Sequence, residues 1–313
     1  MSPEFEVFCL NKYVREKNID VSTITDPAKL DAVFNDIKSS SAFVEFCKGI
    51  DQQDDKFIES QNYNRYSFWL EEEPKETVYT LDVNVELEKA RKYLKNCSSV
   101  IISCGAGLSV SSDLPCFHGK DGIWNTMFKI DSMYDVYKKT NPGKIYSDIK
   151  VLMEKLDVPY FVFTSNIDGL FLKSNFDPSM LCECHGSYAY KRCERCNYIG
   201  LTDDKRCKNC DILLRENILK YGDNKTFNTG ILDVQEDNFK KFRDNNTNIC
   251  IIELGCGIIT PTVRHYDELL LETRSDVKLI RVNPDHWVVP SNIESSCCMI
   301  NMTAEDFINS LEY

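Results

Sequence analysis

The chain has 313 residues, 42% of them hydrophobic, which is long for one domain, comfortable for two and enough for a sizeable core. Its 37 basic and 49 acidic side chains leave a net charge of −12, a surface that repels phosphate backbones, so no direct nucleic-acid binding is expected, and that steers lysine-rich partners towards it at long range. No run of about 18 apolar residues occurs and the N-terminus has no basic or apolar leader, so the 15 cysteines predict an intracellular, cytoplasmic or nuclear location without membrane contact, with free thiols and one metal site.

Residues 1–80 read as a separate N-terminal extension. Asp26 caps a helix that starts at Pro27, with Leu30, Val33, Phe34 and Ile37 on one face. A second apolar segment covers 42–47, and Tyr63, Tyr66, Phe68 and Trp69 form an aromatic stretch ending at Pro74. No catalytic constellation stands out here. The region reads as a helical extension on the main body, with a regulatory or partner-docking role as the alternative.

From about residue 81 the pattern changes. Leu87, Ala90, Leu94 and Cys97 mark a helix face, followed by a strand at 100–102 that runs into Gly105-Ala106-Gly107. Ile145, Ile149, Leu152 and Leu156 mark a second helix, before a strand at 160–163. Further strands fall at 249–254, 278–282 and 298–302, and Thr303, Glu305 and Asp306 open a last helix with Phe307, Ile308 and Leu311. Short, continuously apolar strands alternating with helices imply an α/β fold whose parallel sheet is covered on both faces.

Gly105-Ala106-Gly107 directly follows a strand, and Ser109 and Ser112 come where a helix can begin. A turn without side chains lets backbone N–H groups approach a phosphate at a helix N-terminus. Val110 occupies the place of the third glycine, so on its own the loop reads equally as a tight turn that binds nothing. The pairs Cys193/Cys196 and Cys207/Cys210 have the spacing of a closed tetrahedral zinc site. Four thiolates leave a net −2 on such a site, which Lys191, Arg192, Arg195, Lys205, Arg206 and Lys208 stand near enough in sequence to offset. Cys182 and Cys184 read as strand residues, with a second metal site as the alternative.

The run from Gly105 to Gly119 resembles the sirtuin signature Gly-Ala-Gly-x-Ser-x-x-Ser-Gly-Ile-Pro-Asp-Phe-Arg. Thr164-Ser165-Asn166-Ile167-Asp168-Gly169-Leu170 is similar to the family's Thr-Gln-Asn-Ile-Asp-Gly-Leu, and His185-Gly186-Ser187 to its His-Gly motif. The Cys pairs, and Leu214-Arg215 followed by Tyr221-Gly222-Asp223, complete the family's order over about residues 85–311. The resemblance implies a Rossmann-like part, 81–184 and 224–313, carrying a zinc module at about 185–223. It also implies NAD as cofactor, one structural zinc per chain, and an acylated lysine-containing protein or peptide as substrate; it leaves the oligomeric state open. The implied reaction moves the acyl group from lysine to ADP-ribose and releases nicotinamide.

The resemblance assigns Asn166, Asp168 and His185 to catalysis. An amide orients a hydroxyl, a carboxylate accepts from the carboxamide of nicotinamide, and an imidazole of ordinary pKa removes a proton near neutral pH. It assigns Gly105, Ala106, Gly107, Ser109, Leu114, Phe117, His118, Ser165, Asn166, Asp168, Gly255, Gly257 and Asn283 to the cofactor, with Gly255 and Gly257 letting backbone approach the adenosine half and Asn283 at its ribose. Cys193, Cys196, Cys207 and Cys210 are the implied zinc ligands.

The family pattern breaks at Asp113 (Gly), Cys116 (Asp), His118 (Arg), Ser165 (Gln) and Glu216 (Pro), and residues 255–257 read Gly-Cys-Gly where Gly-Thr-Ser is common. Exchanging a charged hydrogen bond from Arg for His118 costs about 1.5–3 kcal/mol, roughly ten- to a hundredfold in cofactor affinity. Three readings follow: a lysine deacylase, an NAD-cleaving ADP-ribosyltransferase or hydrolase, and a non-catalytic binding scaffold on the same fold.

Overall fold

The computed structural model describes residues 17, 33, 36–48, 82–114, 138–196, 198–201, 203–219, 230–258 and 260–311. The capped start at Asp26, the aromatic stretch 63–69, the Cys116–His118 segment and the turn at 221–223 lie outside the described residues. In the extension, residues 33 and 36–39 are helical, and α1 (Ser41–Lys48) follows, with Ser40 Oγ accepting from the Phe43 N–H at 3.1 Å.

Helix α2 (Val83–Asn96) begins at Asp82, whose side chain accepts from the Asn84 N–H, and buries Leu87, Ala90 and Leu94 on one face. It leads into β1 (Ser99–Cys104). After α3 (Lys144–Leu156) come β2 (Tyr160–Thr164), α4 (Leu170–Lys173) and β3 (Leu181–Glu183). The chain then forms β4 (Gly186–Arg192), β5 (Ile199–Leu201) and β6 (Arg215–Ile218). It returns through α5 (Gly230–Asn245), β7 (Ile249–Leu254), α6 (Thr262–Thr273), β8 (Val277–Val282), β9 (Cys297–Ile300) and α7 (Ala304–Ser310).

The six long-sheet strands pair in parallel in the order β3-β2-β1-β7-β8-β9. Their side chains alternate between two cores. Val100, Ile102, Ile252, Ile280 and Ile300 face α2, α3 and α7, whereas Ile101, Phe161, Ile251, Leu279 and Met299 face α5 and α6. Burial on both faces explains why these strands read as unbroken apolar runs. Phe163 stacks on Phe239 of α5 at 4.6 Å, and Phe161 meets Phe239 and Phe242. The strand order reverses between β1 and β7, so the loops after these two strands border one crevice.

The second sheet is antiparallel, in the order β5-β4-β6, and is inserted between β3 and α5. The cysteine pairs lie in the β4–β5 and β5–β6 connections.

Several boundaries differ from the sequence reading. The last strand is Cys297–Ile300 and leaves Met302 beyond it. Cys182 is in β3, but Cys184 lies in the turn that follows, because the strand stops at Glu183. The segment after Gly105 is a 3-10 helix, Ala106–Ser112. Helices α5 and α6 were not foreseen: Leu232, Phe239 and Phe242 mark the inner face of α5, and Pro261 caps α6.

Candidate functional site

The loops after β1 and β7 touch backbone to backbone. The Gly105 N–H donates to Leu254 O at 3.1 Å, and the Gly107 N–H to Gly255 O at 3.0 Å. A Cβ at Gly105 would lie 2.7 Å from Cys256 Cα, and one at Gly107 2.8 Å from Gly255 Cα. Gly255 has φ +64°, and a Cβ there would lie 2.6 Å from the Gly107 carbonyl carbon. These three positions therefore require glycine to hold the two loops together. Gly257 is different: a Cβ there meets nothing within 4 Å.

Ser109, in the 3-10 helix, joins two of the residues singled out above. Its Oγ donates to Asp168 Oδ2 at 2.6 Å and accepts from Asn166 Nδ2 at 3.1 Å. Asn166 Nδ2 also donates to Gly105 O at 3.0 Å, and the Asn166 N–H donates to Thr164 Oγ1. Asn166 Oδ1 is buried with no partner among the described residues. Asp168 Oδ1 accepts from the Leu170 N–H at 2.9 Å, where it starts α4. Burial raises the Asp168 carboxyl above the usual range, against the lowering effect of the Ser109 and Leu170 bonds.

His185 follows β3 and reaches the same edge of the sheet. Its Nε2 lies 3.1 Å from Thr262 Oγ1 at the start of α6. The ring is not at an ordinary pKa: desolvation lowers it to about 4. This corrects the expectation of an unperturbed imidazole, since the sequence carries no measure of how deeply the turn is enclosed.

The remaining assignments separate. Ser165 donates its N–H to Cys104 O and lies beside Asn166. Asn283 ends β8 with its amide engaged: Nδ2 donates to Cys256 O at 2.9 Å, and Oδ1 accepts from the Asp285 and His286 N–H groups. It ties the loop after β7 to the loop after β8. Ala106 is half-buried at the start of the 3-10 helix. Leu114 is buried in the core beneath the loop, its N–H on Ser109 O. Phe117 and His118 lie outside the described residues. Asp113 adopts φ +58°, which accounts for the glycine in the family pattern and places a strained but exposed residue at this turn.

Sequence reasoning missed a polar layer beneath these loops. Glu253 and Arg281 face each other on β7 and β8 in a bidentate pair at 2.7 and 2.8 Å, both fully buried, and Arg281 also reaches Glu268 at 2.8 Å. Arg264 donates to His286 O and Val288 O and more weakly to Cys256 O. Ser103 donates to Asp267 at 2.8 Å, and burial followed by the Glu253 charge holds that carboxyl well above its usual range. The signal was present: a charge inside an apolar run of each strand, Ile-Ile-Glu-Leu and Leu-Ile-Arg-Val.

The four cysteine sulfurs of Cys193, Cys196, Cys207 and Cys210 all lie within 4.8 Å of one another. The Arg195 N–H donates to Cys193 Sγ and the Asn209 N–H to Cys207 Sγ, each at 3.4 Å. Two equivalent turns thus present thiolates with amide donors two residues on. All these cysteines are free, and the set fits one zinc ion with no open position for water. Part of the nearby basic charge is committed elsewhere: Arg206 pairs with Asp211 at 2.8 Å, and Arg192 lies 3.7 Å from Glu194. Among the described residues this is the one group of metal-ligand type. None of their helices is long and apolar enough to cross a membrane.

The model of the Sir2 family matches residues 127–243. The NAD-dependent protein deacetylase Sirt6 of Drosophila melanogaster is 33% identical over 111 residues, 35% of this chain and 35% of that protein. The NAD-dependent protein deacylase of Candida albicans is 30% identical over 146 residues, 40% of this chain and 48% of that protein. The chain thus spans less than half the length of these two curated relatives. A mutant Sir2 homologue in complex with ADP-ribose superposes with a TM-score of 0.53 at 19% identity, over 72% of this chain and 99% of that one. A Sir2 protein with a deacetylated p53 peptide and 3'-O-acetyl ADP-ribose gives 0.50 at 21% identity, over 71% and 96%. With its doubly wound sheet, its inserted four-cysteine cluster and these sequence relatives, the chain is similar to the Sir2 family.

Proposed function

We propose that this protein is an NAD-dependent protein-lysine deacylase acting on acylated lysines of protein or peptide substrates. The observation that carries the reading is the buried group built on Ser109, with Asn166 and Asp168 on its hydroxyl and His185 beside Ser165 at the same sheet edge. The relatives named as NAD-dependent deacetylases and deacylases support it. So does the lone acceptor of Asn166, whose Oδ1 suits a hydroxyl donor from a ribose.

When bound, NAD supplies the nicotinamide–ribose bond that breaks and the ADP-ribose that receives the acyl group. The chain's residues then divide the work. Gly105 and Gly107 keep the loop low enough for a ligand to lie across it, and Gly257 leaves the opposite loop open. Asn166, oriented through its Nδ2, offers Oδ1 to a ribose hydroxyl. Asp168 is held by Ser109 to accept from a carboxamide. His185 is neutral across the physiological range and ready to accept a proton at Nε2, although burial opposes the resulting cation. Zinc at the four cysteines is structural. The proposal takes over the division into a Rossmann-like part and a zinc module, an N-terminal extension outside both, and an intracellular location, consistent with the free thiols described.

The test is a mass-spectrometric product assay with NAD and a panel of acyl-lysine peptides. Nicotinamide and acyl-ADP-ribose are expected from wild type and not from His185→Ala. Labelled protein, or free ADP-ribose formed without any acyl acceptor, would instead indicate ADP-ribosyl transfer or NAD hydrolysis.

A further inference from the structure

Thr262 is the first residue of α6, directly after Pro261, and the His265 N–H donates to Pro261 O at 2.8 Å. Its hydroxyl therefore sits on a rigid helix end, 3.1 Å from His185 Nε2. A hydroxyl meets Nε2 in either tautomer, donating to a bare nitrogen or accepting from a protonated one. Where Nε2 is the bare nitrogen of the neutral imidazole, the Thr262 O–H donates to it.

We propose that Thr262 is a positioning residue for His185, its hydroxyl fixing the Nε2 edge of the ring and turning from donor to acceptor when that nitrogen takes a proton. For its catalytic arm the inference rests on the deacylase reading; for the hydrogen bond it rests on geometry alone. A hydroxyl suits this place because it rotates between the two roles, with one hydrogen and two lone pairs. Nε2 has a single lone pair, so Thr262 first turns its hydrogen away from it. The substrate O–H then gives its proton to Nε2, the electron pair stays on the substrate oxygen, and the Thr262 oxygen accepts from the new Nε2–H while keeping its own proton. The neutral ring and the cation are thus both satisfied in an enclosed site, where an unpaired charge would be costly.

The experiment compares Thr262→Val and Thr262→Ser in the full zinc-loaded chain. Valine keeps the shape and removes both roles; serine keeps both. Thr262→Val is expected to lower kcat for NAD-dependent acyl removal about ten- to a hundredfold, the range for a hydrogen bond to a charged group, with KM for NAD unchanged. Thr262→Ser should restore kcat. The 15N resonance of His185 Nε2, in a chain with 4 histidines, should move in the valine variant and hold in the serine variant. A valine variant with wild-type kcat, or with an unmoved Nε2 resonance, overturns the proposal. If wild type itself consumes no NAD, the deacylase reading fails instead, and the resonance alone decides for or against the Thr262 bond.

Discussion

Glu183 gives a prediction that does not depend on the reaction. It is the last residue of β3, two before His185, and is 2% exposed. Its Oε2 has no partner among the described residues, and its own N–H donates to Gln235 Oε1 at 3.0 Å. Burial raises the carboxyl most; nearby Ser187 lowers it, the Asp168 charge raises it and Gln235 lowers it, leaving it at about 8 against an ordinary 4.5. Other ionisable groups around it are Tyr190, Cys182 and Cys184.

A raised carboxyl binds its proton more tightly in the folded state. Its contribution is fully present below the unfolded pKa of 4.5 and is lost as pH rises through about 8. At about 1.36 kcal/mol per pKa unit, the loss is about 2 kcal/mol at pH 6, about 3 at pH 7 and about 5 above pH 8.5. Glu183→Gln keeps the shape and a neutral head, so it removes this slope. The variant should be more stable than wild type by an amount that grows by about 3 kcal/mol between pH 6 and pH 8.5. Urea unfolding of both proteins at several pH values reads this directly, and the titration of Asp168, common to both, largely cancels in the difference. A gap between the two proteins that stays constant with pH, or a destabilised glutamine variant at pH 8.5, would refute the reasoning.

Three further outcomes are expected. Stripping zinc with a chelator removes about 10–16 kcal/mol of apparent binding energy and should unfold the module, exposing Cys193, Cys196, Cys207 and Cys210 to a thiol reagent while metal analysis counts one zinc released per chain. Glu253→Gln strips the charge facing Arg281 and should cost about 3–5 kcal/mol in urea unfolding, whereas Glu253→Leu combined with Arg281→Met should recover most of it. Gly255→Ala places a Cβ 2.6 Å from the Gly107 carbonyl carbon at φ +64° and should cost about 2–4 kcal/mol, seen as a lowered Tm.

Much of this architecture was legible before any coordinates. Continuous apolar strands announced a sheet buried on both faces, and the Cys spacing announced the zinc module, because both depend on local sequence alone. The α5 and α6 helices were less legible, since their inner faces include Gln235, Arg264 and Asp267 at positions where apolar residues are expected. The candidate site was readable as residue identities and unreadable as environment. Asn166, Asp168 and His185 were each found, but Ser109 as the residue that joins two of them was not, because a serine has many common roles at a loop. Gly255 was read as room for a ligand; its nearer neighbour is Gly107, a contact made between strands far apart in the chain. The lowered pKa of His185 has the same origin, since enclosure is a property of the assembled fold.

These environments have one electrostatic sense. Burial pushes Asp168, Glu183 and Asp267 towards their neutral acid forms and His185 towards its neutral base form. The pair Glu253 and Arg281 keeps its charges only by cancelling them at hydrogen-bond distance. A protein of net charge −12 thus holds a polar edge where burial works against uncompensated charge. For an anionic dinucleotide, as the proposed reaction requires, this matters more than the surface charge: carboxyls ionised in the crevice would repel its diphosphate at short range, where screening is weak. On that argument the same burial that makes His185 a reluctant cation also keeps the crevice open to an anion. Replacing Glu183 by glutamine should then leave cofactor affinity unchanged at pH 7, where both side chains are largely neutral, and raise it relative to wild type above pH 8.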